Sequence, residues 1–462
     1  MRIVVCVKQS CKDLNPFDAC AVEEALRIEG AEVIALSMGR QDVKDMLLAL
    51  TRLGVHKGIL LSDTAFAGAD TLATSYALSL AIKELSPDMV ICGRQSIDGD
   101  TAQVGPCLAT MLGIPVITNV MELVLDGDTV NCKTRLGDKS AKLPALVTVE
   151  RINNLRFPKI RAKTGEVEVW DINRLGADPE RCGLKGSPTK VVRSFENSGG
   201  KRKCTFVKKE DLAETIKSAL QKPRAEIEAT ESGEKLESVW AIGEKAAEKA
   251  REIAKEVVVL NETDPKALAA LAKEKNPEVI LFDSSIESRM IAPQVSAMLN
   301  TGLCADCTKL ETDGKQLFMY RPAFGGNIIA KIKCVTKPQM ATVRTVDENT
   351  AQLIIAGGRG IKGSEEVFFK AAEKLGAQIG ASRALVDMGE AQYEHQIGLT
   401  GKTVCPNVYI AVGISGAVQH VCGMEQSNVI IAINPDRTAP IFEYADYGIV
   451  GEANEVLAEI LK

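Results

Sequence analysis

Aromatic side chains make up only 4% of this 462-residue chain, and neither charge sign dominates, the net charge being −5. A nucleic-acid surface pairs a basic patch with stacking rings, so both shortages argue against that class of partner. The cluster Lys201-Arg202-Lys203 reads as a solvated loop. No apolar run approaches the roughly 20 residues of a membrane span. The opening MRIVVCVKQ is a five-residue apolar run bounded by charges, which reads as a buried first strand rather than a signal peptide, and a cytoplasmic protein is expected. The single CxxC, Cys304-Ala305-Asp306-Cys307, has no second pair, so packing is the better reading there than redox or metal chemistry, and no metal site is expected. The thirteen cysteines, an odd number without small-scaffold spacing, read as reduced thiols. Neither a G-x-G-x-x-G fingerprint in context nor a convincing catalytic acid–base pair is found, so a simple NAD-dependent dehydrogenase is disfavoured and no catalytic residue is assigned.

What is present is an alternation of short apolar runs with helical patterns. The length implies about three domains. From Met1 the runs IVVCV, EVIALSMG, GILLSD and DMVICG are separated by helical stretches, among them 71–85, as βαβ units of a parallel sheet require. Ligands of such sheets sit beyond the carboxyl ends of the strands. Two loops fall there. One carries Ala69, Asp70 and Thr71; the other starts at Gly93 and carries Asp98, Gly99, Asp100, Thr101, Ala102, Gln103, Val104 and Gly105 before running into a helix. Small residues let that backbone approach a phosphate. Farther on, RINNLRFPKIRAK places Phe157 and Ile160 among basic residues such as Arg156, the pattern of an apolar anchor with a charged rim.

The plan then repeats. PDMVICGRQSIDGDTAQVGPCLATML stands against PEVILFDSSIESRMIAPQVSAMLN, and PALVTVER against PQMATVRT. The first copy is longer, and the second puts Glu287, Arg289 and Met290 where the first has its small-residue turn. A phosphate cradle is therefore expected in the first copy alone.

In the last third, IIA, NVYIAVG and VIIAIN read as strands buried on both faces, and the first two run into glycine turns. The candidate ligands there are Gly358, Arg359 and Gly360; Ser382 and Arg383; Gln396, Gly398, Thr400 and Gly401; Gly413, Ser415, Gly416, Ala417, Gln419 and His420; and Asn434 and Asp446. Together they describe a dinucleotide site for a ring that needs several hydrogen bonds and a charge to balance it.

These motifs resemble a known family. SRALVD, QIGLTG, GISGAVQH and APIFEYADYG resemble the FAD domain of the electron-transfer flavoprotein alpha subunit, with Leu399 standing where the family pattern has Gln. TGLCADCT and RPAFGGNIIAKIKC resemble that subunit's first domain. VCVKQ, NPFDACAVEEAL, FAGADTLATSYAL and GRQSIDGDTAQVGP resemble the beta subunit, although only five residues separate Gln9 from Asn15, where the family has a longer excursion. The resemblance implies an α/β chain with two related parallel-sheet nucleotide-binding-like domains plus a C-terminal doubly wound FAD-binding domain. It implies residues 1–222 as a beta-like domain with a helical C-terminal arm over 206–220, a linker over 223–235, an alpha-like domain over 236–347, and the FAD domain over 348–462.

The resemblance further implies FAD in the last domain, with Thr400 toward the flavin N5, Arg383 toward the ring, His420 toward the C2 carbonyl and Ser415 toward the phosphates. It also implies a second FAD or AMP at the 93–105 loop, a partner-docking loop from Arg156 to Lys163, and hinged rotation of the FAD domain. The expected function is electron transfer through FAD between a donor, NADH or an acyl-CoA dehydrogenase, and a redox partner such as an iron–sulfur oxidoreductase. With a second FAD this becomes flavin-based electron bifurcation. A one-FAD carrier with structural AMP, or a nucleotide-binding sensor that has lost electron transfer, are the alternatives.

Overall fold

The computed structural model describes residues 1–10, 12–196, 200–223, 233–346 and 351–462. Most of the 223–235 linker expected from the sequence, and the boundary at 347–348, lie outside them. The chain forms two compact units, one of Met1–Ser194, Thr230–Phe324 and Ala330–Val343, the other of Phe195–Ala229, Gly325–Ile329 and Arg344–Lys462. Among the described residues no helix is long and apolar enough to cross a membrane.

In the first unit, alternate residues of each apolar run face opposite cores. Ile3 and Val5 pack with Val33, Met89 and Ile91 on one side of the sheet. Val4 and Cys6 pack with Ile34, Leu36, Val90 and Cys92 on the other. A strand covered on both faces has no solvent side to mark, which is why its sequence is continuously apolar. The strands lie in the order Glu166–Trp170, Lys57–Leu61, Glu32–Met38, Arg2–Cys6, Met89–Gly93, Ala145–Val149, Val116–Asp126, Thr129–Thr134, Gly137–Lys142. All neighbours are parallel up to Val116–Asp126, and the last three strands form antiparallel hairpins.

The repeat read in the sequence recurs as a repeat of topology. A second parallel sheet runs Ala254–Leu260, Leu236–Ile242, Val279–Asp283, Gln339–Val343, Leu303–Cys307, the same order as the middle five strands of the first. Its copy of the long loop is gone: Val279–Asp283 passes through Ser284 and Ser285 straight into the helix Ile286–Leu299, with Ser285 capping it, whereas ten residues separate Gly93 from Val104 in the first copy. The helices Val104–Leu112 and Ile286–Leu299 pack on each other, Cys107 Sγ donating to the Pro293 carbonyl at 3.2 Å. Both copies lie in the one compact unit.

Local signals set the helix ends. The helix Thr71–Leu85 begins where the Asp70 carboxylate accepts from the Leu72 and Ala73 amides, at 3.0 Å each, and ends at Ser86 with φ 46°. The helix Pro265–Lys275 has Asp264 as its cap, proline in its first turn and a left-handed Asn276 at its end.

In the second unit the strands lie in the order Thr205–Phe206, Tyr447–Val450, Val429–Asn434, Val408–Val412, Leu353–Gly357, Gln378–Ala381, all parallel. The arm departs from the helix expected over 206–220. Thr205 and Phe206 extend the sheet edge beside Tyr447 and Gly448, and the helix is confined to Leu212–Leu220, whose Leu212, Ile216 and Ala219 enter the core with Val456 and Ile460. An unpaired edge strand is satisfied by main-chain bonds that no side-chain pattern announces.

Candidate functional site

In the second unit the chain passes from Leu353–Gly357 to Gln378–Ala381 on one side and then returns to place Val408–Val412 on the other. Strand order reverses between Gly357 and Val412, and a crevice at the carboxyl ends follows from that reversal. Two turns meet there through their main chains. Gly358 N donates to Val412 O at 2.8 Å and Gly360 N to Gly413 O at 3.0 Å. A Cβ on Gly358 would stand 2.3 Å from Gly413 O, so no side chain fits. A second meeting joins 396–402 to 415–423: Leu399 N donates to Gln419 O at 2.6 Å, and Gly398, with φ 130°, would put a Cβ 2.4 Å from that same oxygen.

These contacts gather Gly358, Gly360, Gln396, Gly398, Thr400, Gly401, Gly413, Gly416, Gln419 and His420 into one group of loops. Gln396 is buried and its Nε2 donates to Thr400 Oγ1 at 2.7 Å, yet its Oε1 has no partner among the described residues. Buried His420 shares a 2.9 Å hydrogen bond between its Nε2 and Tyr409 Oη, and its Nδ1 has no partner among the described residues. Buried polar atoms are rarely left unsatisfied, so two such atoms on adjoining loops fit a ligand that brings a donor and an acceptor. Burial pushes the His420 imidazole down to about 4, against a smaller opposing effect of the Ile397 carbonyl, so His420 is a neutral donor or acceptor at pH 7.

Other candidates occupy the rim. Arg359, Ser415, Ala417 and Gln419 are exposed. Ser382 caps the helix Arg383–Asp387, and Arg383 is half-buried with its Nε 3.2 Å from Asp387. Asn434 braces the 413–416 turn, donating to Ile414 O at 3.0 Å. Asp446 does not join the group. It precedes Tyr447–Val450 at the amino end of the strands, where its carboxylate accepts from Ile430 N at 2.8 Å and pairs with Arg202 at 2.5 Å. Arg202 also donates to the carbonyls of Glu425, Ser427 and Asn428, which makes this basic residue an anchor of the arm rather than the solvated loop expected.

One residue escaped the sequence reading. Arg344 is buried and donates to Leu399 O at 2.6 Å, with Thr403 Oγ1 at 3.5 Å, and so holds the 398–403 loop. The signal was in the repeat: Arg344 stands where PALVTVER has Glu150, each a charge directly after a fully buried strand.

The first unit holds a cavity of about 1120 Å³ at the carboxyl ends of Arg2–Cys6, Glu32–Met38, Lys57–Leu61 and Met89–Gly93. Ala69, Asp70, Thr71, Gly93, Gly99 and the run Thr101 to Gly105 line it. Asp100 and Ala102 have φ of 51° and 55°, a conformation that side chains resist. Several polar groups expected to bind are engaged instead by the protein. The Asp70 carboxylate caps its helix and accepts from Thr189 N and Oγ1 at 3.0 and 2.6 Å. Asp98 and Asp100 are not among the lining residues; Lys8 and Ser10 hold the first carboxylate, and Gln95 donates to the second at 2.9 Å. Gln103 accepts from Thr71 and donates to Leu303 O across the repeat. Carboxylates brace this loop, while Gly99 and Thr101 to Gly105 line the cavity.

Cations complete the lining. Arg94 NH1 donates to Glu150 at 3.0 Å, and that oxygen also accepts from Arg135 Nε at 3.1 Å. Arg321 is 6% exposed, and its Nε has no partner among the described residues. On the floor, burial raises Asp18 to about 7 despite the Lys8 amide on its carboxylate. Cys304 lines the same cavity, and Cys307 is buried beside it, its Sγ 3.7 Å from the Cys304 carbonyl. Elsewhere on this unit Phe157 and Ile160 are 93% and 101% exposed. Arg156 is bound from Nε and NH2 to Glu23, at 2.9 and 3.0 Å, so it fixes the base of that loop.

Comparison with known proteins agrees with this architecture. Residues 3–175 and 231–360 match the electron transfer flavoprotein domain, and 348–425 match the electron transfer flavoprotein FAD-binding domain. The chain is 42% identical over 243 residues to the electron transfer flavoprotein subunit alpha of Thermoanaerobacterium thermosaccharolyticum, covering 43% of this chain and 74% of that one. It is 42% identical over 193 residues to the subunit beta of Clostridium acetobutylicum, covering 39% and 74%. A third relative, 35% identical over 266 residues with 42% and 72% covered, is the acryloyl-CoA reductase electron transfer subunit beta of Anaerotignum propionicum. With beta-like and alpha-like parts in one polypeptide and the FAD-binding domain at its end, the chain belongs to the electron transfer flavoprotein family.

Proposed function

We propose that this fused electron transfer flavoprotein holds a second FAD in the cavity of its first unit and divides electron pairs from NADH between two acceptors. The observation that carries the reading is the cavity's size. Its volume of about 1120 Å³ exceeds the roughly 300–1,000 Å³ of typical small-ligand sites and suits a dinucleotide better than a mononucleotide. Arg94, Arg321 and the amides of residues 101–105 supply the positive field a pyrophosphate needs. When bound, FAD takes up two electrons and releases them singly, which is the chemistry the protein itself lacks.

In the second unit the glycine turns at 358–360 and 413–416 give the main chain close access to phosphate. His420 Nδ1 and Gln396 Oε1 offer one hydrogen bond each to the flavin ring, and Arg383 and Arg359 supply the positive charge beside it. Thr400, held by Gln396, presents its hydroxyl to the same ring. The exposed Phe157 and Ile160 dock the acceptor, an acyl-CoA dehydrogenase or reductase or an iron–sulfur oxidoreductase, in the cytoplasm. A relative named as the electron transfer subunit of an acryloyl-CoA reductase supports that class of partner.

A second reading, one FAD with structural AMP, is favoured by the short turn between Gln9 and Leu14, which replaces a longer family excursion at the cavity side. Release of bound nucleotides by denaturation separates the two. Two FAD per chain are expected; one FAD with one AMP selects the simple carrier, and no flavin after reconstitution refutes both.

A further inference from the structure

His420 lies on the short helix Val418–Val421, and its hydrogen-bond partner Tyr409 is the second residue of the strand Val408–Val412. The tyrosine is completely buried, among Ile354, Ala411, Ile430 and Ala432. Its hydroxyl has one hydrogen-bond partner among the described residues, His420 Nε2 at 2.9 Å. Two proton arrangements satisfy that distance. In one, Nε2–H donates to the tyrosine oxygen, which strands the hydroxyl proton without an acceptor and leaves Nδ1 a bare lone pair. In the other, the hydroxyl donates to Nε2 and the imidazole proton sits on Nδ1. Each arrangement leaves one protein donor unmet, but the tyrosine hydroxyl is enclosed in the apolar core where no ligand reaches it, whereas a proton on Nδ1 can be met by a bound ligand's acceptor.

We propose that Tyr409 is a positioning residue for the flavin: by donating to Nε2 it keeps the His420 proton on Nδ1, the orphaned nitrogen, and makes that atom a directed donor to the ligand. The idea rests on FAD occupying the loops 396–401 and 413–420. Its consequence is that ring polarity at the site is set by a residue that never touches the cofactor. Burial keeps the imidazole neutral, so the tautomer alone decides whether His420 gives or takes a hydrogen bond. A donor favours the negative charge that a flavin gains on reduction, and an acceptor opposes it.

The test uses the full-length chain with 15N-labelled imidazoles. There are three histidines, His56, His395 and His420, and the His420 signals are those lost in His420→Gln. In long-range proton–nitrogen spectra of FAD-free protein at pH 7, His420 is expected to show a protonated-type Nδ1 and an unprotonated Nε2. Tyr409→Phe keeps the ring but removes the donor, and should give mixed or reversed tautomers while His56 and His395 stay unchanged. With FAD bound, Tyr409→Phe should also lower the flavin midpoint potential in a dye-equilibrated titration. A proton on Nε2 in the unsubstituted chain, a tautomer indifferent to Tyr409→Phe, or an unmoved potential overturns the proposal. Because the tautomer is read without flavin, it reports on the Tyr409–His420 pair even where FAD binding fails.

Discussion

Replacing Gly358 by alanine tests whether contact between two main-chain turns builds the FAD site. Gly358 has φ −108° and ψ −173°, an extended conformation open to any residue, so the substitution carries no backbone penalty. Its cost is space alone. The new methyl would lie 2.3 Å from Gly413 O, 2.8 Å from Gly413 C and 2.8 Å from Ile414 Cγ1, about 1 Å inside ordinary contact with the carbonyl. Neither turn can yield by rotating a side chain, so they must part, stretching the 2.8 Å bond from Gly358 N to Val412 O. Overpacking of this kind costs about 1–3 kcal/mol. For a unit of this size that corresponds to a melting temperature lower by roughly 2–12 °C, and for a ligand cradled by both turns to an FAD affinity weaker by about 5–150-fold.

Gly376→Ala is the control. It sits at φ 60° with nothing within 4 Å of an added Cβ, so it should cost about 1 kcal/mol of stability through its backbone and leave FAD affinity alone. Flavin fluorescence titration and thermal melts of the full-length proteins read both effects. FAD binding within twofold of the parent for Gly358→Ala, or equal losses of affinity in the two variants, would refute the reasoning.

Three further outcomes follow from single side chains. Asp70→Ala removes a helix cap, worth about 0.5–2 kcal/mol, together with both bonds to Thr189, so chemical denaturation of the first unit should shift to lower denaturant by more than a cap alone explains. Asp18→Asn tests the buried carboxyl through pH: because folding raises its pKa from 3.8 to about 7, the parent holds an extra proton between those values and loses stability as pH rises through them. The stability of Asp18→Asn relative to the parent should therefore increase from about pH 4 to 7 and level off above, and a flat difference would place the charge on the carboxyl throughout. Phe157→Ala combined with Ile160→Ala should leave stability within about 0.5 kcal/mol, since both side chains lie in solvent, but slow electron delivery to the protein acceptor; unchanged stopped-flow rates would remove this loop from the docking surface.

Much of the fold was legible because its signals are short-range. Asp70 and Asp264 cap helices by bonding amides two or three residues away, and the helix expected over 71–85 emerges as Thr71–Leu85. The continuous apolar runs announce strands covered on both faces, and the repeat announces a second sheet with the same strand order and without the long loop. The glycine turns of the second unit were legible too, since only glycine tolerates the approach of Gly358 to Gly413.

What tertiary structure alone decided was the partner of each polar side chain. Asp446 looks like a ligand in sequence, but Arg202, 244 residues away, takes its carboxylate at the amino end of the sheet. Asp98 sits in the loop where the sequence leads us to expect a phosphate cradle, yet Lys8 and Ser10 claim it from the start of the chain. Arg344 carries no local mark of its hold on Leu399, and Thr205–Phe206 becomes a strand only because the edge beside Tyr447 is open to it. Helix caps and glycine turns are settled by neighbours a few residues off, which the sequence contains directly. A hydrogen bond between distant residues depends on which groups the folded sheets bring within 3 Å, and burial then makes that one pairing obligatory.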